Sequence, residues 1–141
     1  MQIAHRFDAP PGAVWRAWTD PAEVRTWWGS DPDGVVTSAE LGVRVGGRFA
    51  ISFRDPGGDQ HTSRGEYLRV EAPTVLEFTW SWDSEPGLRS RVTVELAAAE
   101  DGAATLMRFV HGELRGGSAH DYDPGWRRTF GKLDRALAGP R

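Results

Sequence analysis

The chain has 141 residues and no cysteine, so it is long enough for one self-sufficient domain over residues 1–141, and disulfide frameworks, thiolate metal sites and a cysteine nucleophile are excluded. Its net charge of -3 gives no global attraction to nucleic acid or to an anionic membrane. Residues 1–12 lack the apolar core of a signal peptide and no apolar run would span a bilayer, so we expect a cytoplasmic protein with no membrane partner.

The first thirty residues predict a strand and two short helices. A strand over residues 2–8 ends at two prolines, and a proline at a helix start favours a helix over residues 10–19. The segment Asp20–Glu23 then places a cap residue, a first-position proline and an acid at the start of a second helix. Adjacent residues cannot both face one core from a helix, so we expect one of Trp27 and Trp28 to point elsewhere, towards a cavity mouth.

From Val35 onwards, alternating apolar and polar residues predict a meander of antiparallel strands. The dipeptide Gly46-Gly47 is typical of a tight turn, which would join a strand over residues 43–45 to the next one. In the strand predicted over residues 105–111 both faces carry apolar residues, so alternation leaves open which face packs against the core. The remaining strands are predicted over residues 48–53, 61–70, 75–82, 92–96 and 105–111.

The C-terminal stretch returns to helical spacing. An apolar stripe on one side of the helical wheel predicts an amphipathic helix, either starting at Asp123 or starting near Ser118 with a kink at Pro124, and ending at Gly139-Pro140. Only this helix is long enough to cover the apolar face of the sheet, so we expect it to lie across a curved sheet and to leave a cavity bordered by tryptophans. The stripe consists of Tyr122, Trp126, Phe130, Leu133 and Leu137.

Short motifs in this order resemble the SRPBCC superfamily, and within it the bacterial relatives of the C-terminal domain of the Hsp90 ATPase activator (Aha1-type). The resemblance implies an α+β helix-grip (START/Bet v 1-like) fold, in which a curved antiparallel sheet of about six to seven strands carries two short helices, a long C-terminal helix and an internal cavity. It implies little about chemistry, because one fold serves many functions. The motifs lie at residues 7–11, 14–15, 18–21, 27–29, 44–49, 65–67, 76–80 and 125–126, with Leu133.

The tryptophan-rich inner faces favour binding of a small hydrophobic or aromatic ligand between the C-terminal helix and the sheet. Core packing accounts for each of these side chains taken singly, but less easily for the set. The candidate ligand-binding residues are Trp28, Phe49, Phe53, Trp80, Trp82, Met107, Phe109, His111, Trp126 and Phe130.

An enzyme of the cyclase or hydrolase kind is an alternative hypothesis, with His111 as a weak catalytic candidate. A histidine in an apolar cavity wall can act as acid or base, but it can equally be a core histidine with its hydrogen bonds satisfied. The strand carboxylates Glu66, Glu77 and Glu95 give no convincing pair, because the last two lie opposite the apolar residues of their strands.

We expect no metal and no cofactor, since the histidines lack metal-ligand spacing and no nucleotide-binding motif occurs. A protein-interaction module related to Hsp90 activators is a further alternative, although the full activator has two domains and this chain resembles only one. An Hsp90-type chaperone is therefore the less favoured partner, and a homodimer through sheet edges or exposed aromatics is left open. A basic stripe on the last helix is interpreted as its solvated face, and comprises Arg127, Arg128, Lys132 and Arg135.

Overall fold

A computed structural model describes residues 1–31, 33–114 and 122–138 of the chain. The described residues form one antiparallel seven-stranded sheet in the order β1-β7-β6-β5-β4-β3-β2, three α-helices and one 3-10 turn. This is the helix-grip fold that the family resemblance implies. The elements are β1 (Gln2–Phe7), α1 (Pro11–Thr19), α2 (Pro21–Val24), β2 (Val35–Leu41), β3 (Arg48–Arg54), β4 (Gln60–Glu71), β5 (Val75–Trp82), β6 (Ser90–Ala99), β7 (Ala104–Gly112) and α3 (Tyr122–Ala138).

Helix α3 lies against the inner face of the sheet, as its apolar stripe predicts. Trp126, Phe130 and Leu133 are buried, and the Phe130 ring meets Phe109 of β7 edge to face at 5.0 Å between centroids. His5 of β1 also contacts the helix, since its Nε2 lies 2.9 and 3.0 Å from the two Asp134 carboxylate oxygens. Aromatic burial and one polar contact therefore dock the helix onto the sheet.

The inward face of β7, which alternation alone leaves undecided, carries the larger and less exposed side chains. Thr105, Met107, Phe109 and His111 are buried, whereas Leu106 on the other face is 51% exposed. The hydroxyl of Thr105 donates to the carbonyl of Ala9 at 2.7 Å, so the polar group on the inner face is satisfied. This face contributes to the aromatic core, which we define as Phe7, Trp18, Trp27, Phe109 and Phe130.

The hairpin between β2 and β3 differs from the prediction. Residues 43–45 form no strand; β2 ends at Leu41, and a loop over residues 42–47 replaces the two-glycine turn. The loop glycines bond to β4 instead, through Gly46 N–H to the carbonyl of Tyr67 and Tyr67 N–H to the carbonyl of Gly47. The predicted strand was wrong because these backbone groups find partners on a third strand, and Val45, 68% exposed, lies at the loop.

Both adjacent tryptophans are buried, whereas the helical argument placed only one of them in the core; Trp28 in addition borders the cleft described below. Helix α2 ends at Val24, and residues 25–27 continue as turns, so the helical argument does not apply to this pair. Trp27 contacts Trp18 at 4.9 Å between ring centroids and donates its indole N–H to the carbonyl of Ala17. Trp28 lies 6.0 Å from Trp18 and 5.2 Å from Trp27 between ring centroids, so the three indoles pack together.

Strand β4 bends where a glycine passes close to its neighbour. A Cβ at Gly65 would lie 1.8 Å from the carbonyl oxygen of Thr79 and 2.5 Å from the Phe49 ring, so no larger residue fits. A register shift follows between Tyr67 and Arg69. The sheet can therefore curl around α3.

The start of α3 lies at Tyr122 in the described part of the chain, one residue before the start predicted at Asp123. Pro124 occupies the first turn, where a missing N–H costs no helical hydrogen bond. The alternative start at Ser118 and the stop at Gly139-Pro140 lie outside the described residues. No helix among the described residues is long and apolar enough to cross a bilayer.

Candidate functional site

A cleft of about 290 Å³ lies beside Trp126, between the start of α3, the loop after α2 and strands β3 to β5. We call this space the cleft. Its floor is aromatic and its rim is polar, which is the composition expected of a site for a small organic molecule. It is lined by Trp28, Gly29, Ser30, Asp31, Phe53, Asp55, His61, Trp80, Trp82, Tyr122, Gly125, Trp126, Arg128 and Thr129.

The aromatic floor is assembled from four parts of the chain. Alternation along β5 directs Trp80 and Trp82 inward, where their rings meet at 89° with centroids 5.3 Å apart. Trp126 of α3 lies 5.2 Å from Trp80, and Trp28 meets Trp126 at 87° and 5.8 Å. Phe53 of β3 completes the floor, 6.0 Å from Trp82. Edge-to-face packing thus holds rings from distant positions at fixed angles.

His111 lies behind Trp126 and is fully buried. The indole N–H of Trp126 donates to its Nδ1 at 3.0 Å, so in the neutral ring Nε2 carries the proton and donates to Ser90 Oγ at 2.7 Å. Burial, together with the N-terminal ammonium, lowers the pKa of His111 to about 3. Both ring nitrogens are therefore engaged inside the protein, and a neutral His111 orients Trp126 rather than facing a substrate.

The rim carries a histidine and an aspartate that the sequence analysis missed. His61 Nε2 lies 3.0 Å from Asp55 Oδ2, and the backbone N–H of Asp59 donates to Asp55 Oδ1 at 3.0 Å. These contacts, that of His61 first, lower the pKa of Asp55. The pairing joins the end of β3 to the start of β4 across a turn, and the hairpin spacing was the one signal that could have revealed it.

The other rim contact connects β5 to α3. The indole N–H of Trp82 donates to the hydroxyl of Tyr122 at 3.0 Å, and the Tyr122 ring lies 4.5 Å from the His111 ring. Tyr122 therefore contacts both Trp82, which lines the cleft, and His111, which lies behind the aromatic floor. This contact fixes the first turn of α3 at the cleft.

Lys132, interpreted from sequence as part of a solvated basic stripe, instead holds the loop that borders the cleft. Its Nζ donates to the carbonyls of Trp28, Gly29 and Asp31 at 3.3, 3.2 and 2.9 Å. Burial lowers the pKa of this ammonium. A lysine offers three donors from one point, whereas an arginine offers a planar fork. Lys132 is the single lysine of the sequence, since the other sixteen basic residues are arginine, and this was the one sequence feature that distinguished it from the rest of the stripe.

The predicted ligand-binding residues divide into two groups. Phe49, Met107, Phe109 and Phe130 do not border the cleft and are packed in the interior, and His111 lies behind the floor. A role in binding for the other group stays a prediction. That group, which lines the cleft, is Trp28, Phe53, Trp80, Trp82 and Trp126.

The strand carboxylates do not form a pair in the cleft. Glu77 accepts from the hydroxyl of Thr93, and Glu95 accepts from Arg108, both on the side of their strands opposite the buried residues. Within residues 1–31, 33–114 and 122–138, no group of three or more histidine, aspartate or glutamate side chains could hold a metal ion.

A second, broader groove of about 910 Å³ lies near β1, β6 and β7. Its lining includes Leu106 and Arg108 but no tryptophan, phenylalanine or tyrosine. With the His5 imidazole as its one aromatic ring among the described lining residues, it offers a small molecule less ring surface to stack on than the cleft does. The cleft is therefore the candidate site.

Comparison with known proteins places the chain among structures of similar fold. The profile of the family described as "Activator of Hsp90 ATPase homolog 1-like protein" matches residues 8–138. No curated protein matches the sequence.

Solved structures agree with this match. A Chromobacterium violaceum protein is 24% identical with a TM-score of 0.83, covering 99% of this chain and 97% of that one. The AHSA1-like protein from Aeromonas hydrophila is 26% identical with a TM-score of 0.79, covering 98% and 92%. The AHSA1 protein from Silicibacter pomeroyi is 23% identical with a TM-score of 0.81, covering 98% and 96%.

Proposed function

The chain belongs to the Activator of Hsp90 ATPase homolog 1-like family, and we propose that it binds a small aromatic or other hydrophobic molecule in the cleft between α3 and the sheet. The observation that carries the proposal is that rings from β3, β5, α3 and the loop after α2 surround an open volume instead of closing it. Stacking and burial of apolar area would supply the affinity.

The size of the cleft limits the ligand. At about 290 Å³ it is at the small end of ligand sites, so it suits a compound of one or two rings rather than a lipid with long chains. Polar groups on the rim, among them Asp55, His61 and Tyr122, would orient a polar end of the ligand. The expected ligand is therefore small, ring-containing and polar at one end.

An enzymatic function through His111 has less support. Its Nδ1 accepts from Trp126, its Nε2 is used by Ser90, and its side chain is fully buried. A general base needs a free nitrogen within hydrogen-bond reach of the substrate. A carrier or sensor role for the cleft needs no free histidine nitrogen and no contact between His111 and the ligand.

Filling the cleft tests the proposal without weakening the fold. Gly125 of α3 lines the cleft, and a Cβ there would meet only Ser30 at 3.8 Å, so Gly125→Leu would place a side chain in the ligand volume while improving helix propensity. Gly131→Leu is the matched control, because a Cβ at Gly131 meets nothing within 4 Å and that residue does not line the cleft.

The probe is 2-naphthol, a neutral two-ring compound, titrated by isothermal calorimetry. We expect binding to the wild type and to Gly131→Leu, and loss of binding in Gly125→Leu. Equal affinities for both variants, or no heat with the wild type, would contradict the proposal.

A chaperone partner is the second candidate, and the family description is the observation that favours it. Adding the chain to a bacterial Hsp90 and measuring ATP hydrolysis tests it directly. A rise in rate that Gly125→Leu leaves unchanged would assign the interaction to a surface other than the cleft.

A further inference from the structure

We propose that the ligand of the cleft is an organic cation, namely an aromatic compound that carries an ammonium or alkylammonium group and binds with that group beside Asp55. This inference rests on the proposed function and adds the charge of the ligand to it. It follows from what the floor and the rim present to a guest.

The floor presents ring surfaces at steep angles to one another. The planes of Trp80 and Trp82 meet at 89°, those of Trp28 and Trp126 at 87°. Rings set in this way can contact a compact group from more than one direction. Because the face of an aromatic ring is electronegative, such walls attract a cation and give a carboxylate nothing comparable.

Three of the four indole donors of the floor are engaged or enclosed within the protein. Trp126 gives its N–H to His111 Nδ1, and Trp82 gives its N–H to the hydroxyl of Tyr122. The Nε1 of Trp80 is buried, so it offers no accessible donor. An anionic ligand would meet few hydrogen-bond donors along these three rings, and this asymmetry favours a positive group.

The rim places a carboxylate where such a group would need it. Asp55 is held by His61 and by the backbone N–H of Asp59, and these bonds lower its pKa and keep it ionised. Each carboxylate oxygen has a second lone pair to offer. The Asp55 side chain is 25% exposed, so a cation between it and the rings would be partly shielded from water.

The other charged groups around the cleft do not outweigh Asp55. Asp31 adds a second carboxylate to the lining, and the ammonium of Lys132 lies behind it, bonded to the Asp31 backbone carbonyl. Among the described lining residues Arg128 is the one arginine or lysine, and it is exposed, so solvent screens its charge; His61 is already paired with Asp55. An anion-binding site would require Arg128 to dominate, and the test includes that outcome.

Three compounds that share one skeleton isolate the charge: 2-phenylethylamine, 2-phenylethanol and phenylacetate carry an ammonium, a hydroxyl and a carboxylate on the same ring and chain. We expect the amine to bind the wild-type protein roughly tenfold more tightly than the alcohol, the size of a cation–π contact combined with a partly exposed ion pair. Phenylacetate is expected to bind most weakly. Calorimetry at low and high salt measures all three.

Two variants assign the effect to the rim. Asp55→Asn should lower the affinity for the amine several-fold and leave the affinity for the alcohol unchanged. Asp59→Asn removes the same charge four residues away from an exposed position outside the cleft lining, and should change neither. If Asp55→Asn unfolds, the comparison of amine and alcohol on the wild type still decides the question.

The outcomes separate the two proposals. Equal binding of amine and alcohol, or tightest binding of phenylacetate, would overturn the cation inference and leave the hydrophobic cleft intact. Binding of 2-naphthol without binding of the amine, the alcohol or phenylacetate would also overturn the cation inference and leave the hydrophobic cleft intact. No binding of the three compounds or of 2-naphthol would overturn both.

Discussion

The aromatic core around Trp18 and the cleft beside Trp126 are built from the same residue types but differ in how their rings are closed off. In the core, Trp18 meets Trp27, Phe109 and Phe130 with ring centroids 4.9 to 6.3 Å apart, and it is 3% exposed. In the cleft, rings from β5 and α3 border open volume, and the rim is polar. Aromatic content alone therefore does not mark a site; the geometry around the rings does.

The largest expected effect is in the core. Phe109→Ala removes a fully buried ring and should lower the free energy of unfolding by about 3 to 5 kcal/mol, the usual cost of such a cavity. Urea denaturation measures it, with Val45→Ala at an exposed loop as the control expected to change little. If Phe109→Ala cost less than about 1 kcal/mol, the core would not be the closed region described above.

The contact of His111 with Trp126, behind the floor of the cleft, gives the next effect through pH. The unfolded chain binds a proton on this imidazole below about pH 6.5, whereas the folded chain does not until about pH 3. The contribution of His111 to the free energy of unfolding is therefore fully present above pH 6.5. Below that pH the free energy of unfolding should fall by about 1.4 kcal/mol for each pH unit.

Denaturation from about pH 6.5 to about pH 4.5, above the range in which carboxylates dominate, isolates this dependence. His111→Asn has no titrating group at position 111, so the stability of this variant should vary much less across that range. An equal slope in wild type and variant would show that His111 does not remain neutral in the folded protein.

The smallest of the three effects concerns the border of the cleft. Lys132→Met leaves the carbonyls of Trp28, Gly29 and Asp31 without their ammonium donor and should cost about 1 to 2 kcal/mol, because water replaces part of the lost bonding. Faster amide hydrogen exchange across residues 28–31, with unchanged exchange in the core, would locate the loss.

Lys132→Arg is the control for charge. It keeps the positive charge but replaces the ammonium, whose three donors radiate from one nitrogen, with a planar guanidinium. Amide hydrogen exchange in the loop should therefore rise nearly as much as in Lys132→Met. If Lys132→Arg behaved like the wild type, charge alone would hold the loop, and the three-carbonyl contact would have little weight.

Much of the fold was predictable from local pattern. Alternation over Val75–Trp82, the Asp20 cap of α2 and the apolar stripe from Trp126 to Leu133 each dictate an element and its buried face. The errors arose where neighbours distant in the chain supply the partners. The loop after β2 bonds to Tyr67, and Trp27 and Trp28 lie beyond the end of their helix.

The α+β class, the element order and the aromatic supply of the interior follow from periodicity and turn residues, which act over a few positions. The choice of rings that border the cleft, the engagement of both His111 nitrogens, and the placement of Asp55, His61 and Lys132 at the cleft edge depend on contacts between distant parts of the chain. The reason is physical: a ring or a charge acquires its role from groups brought together across the sheet and α3, and that convergence leaves no periodic trace in the chain.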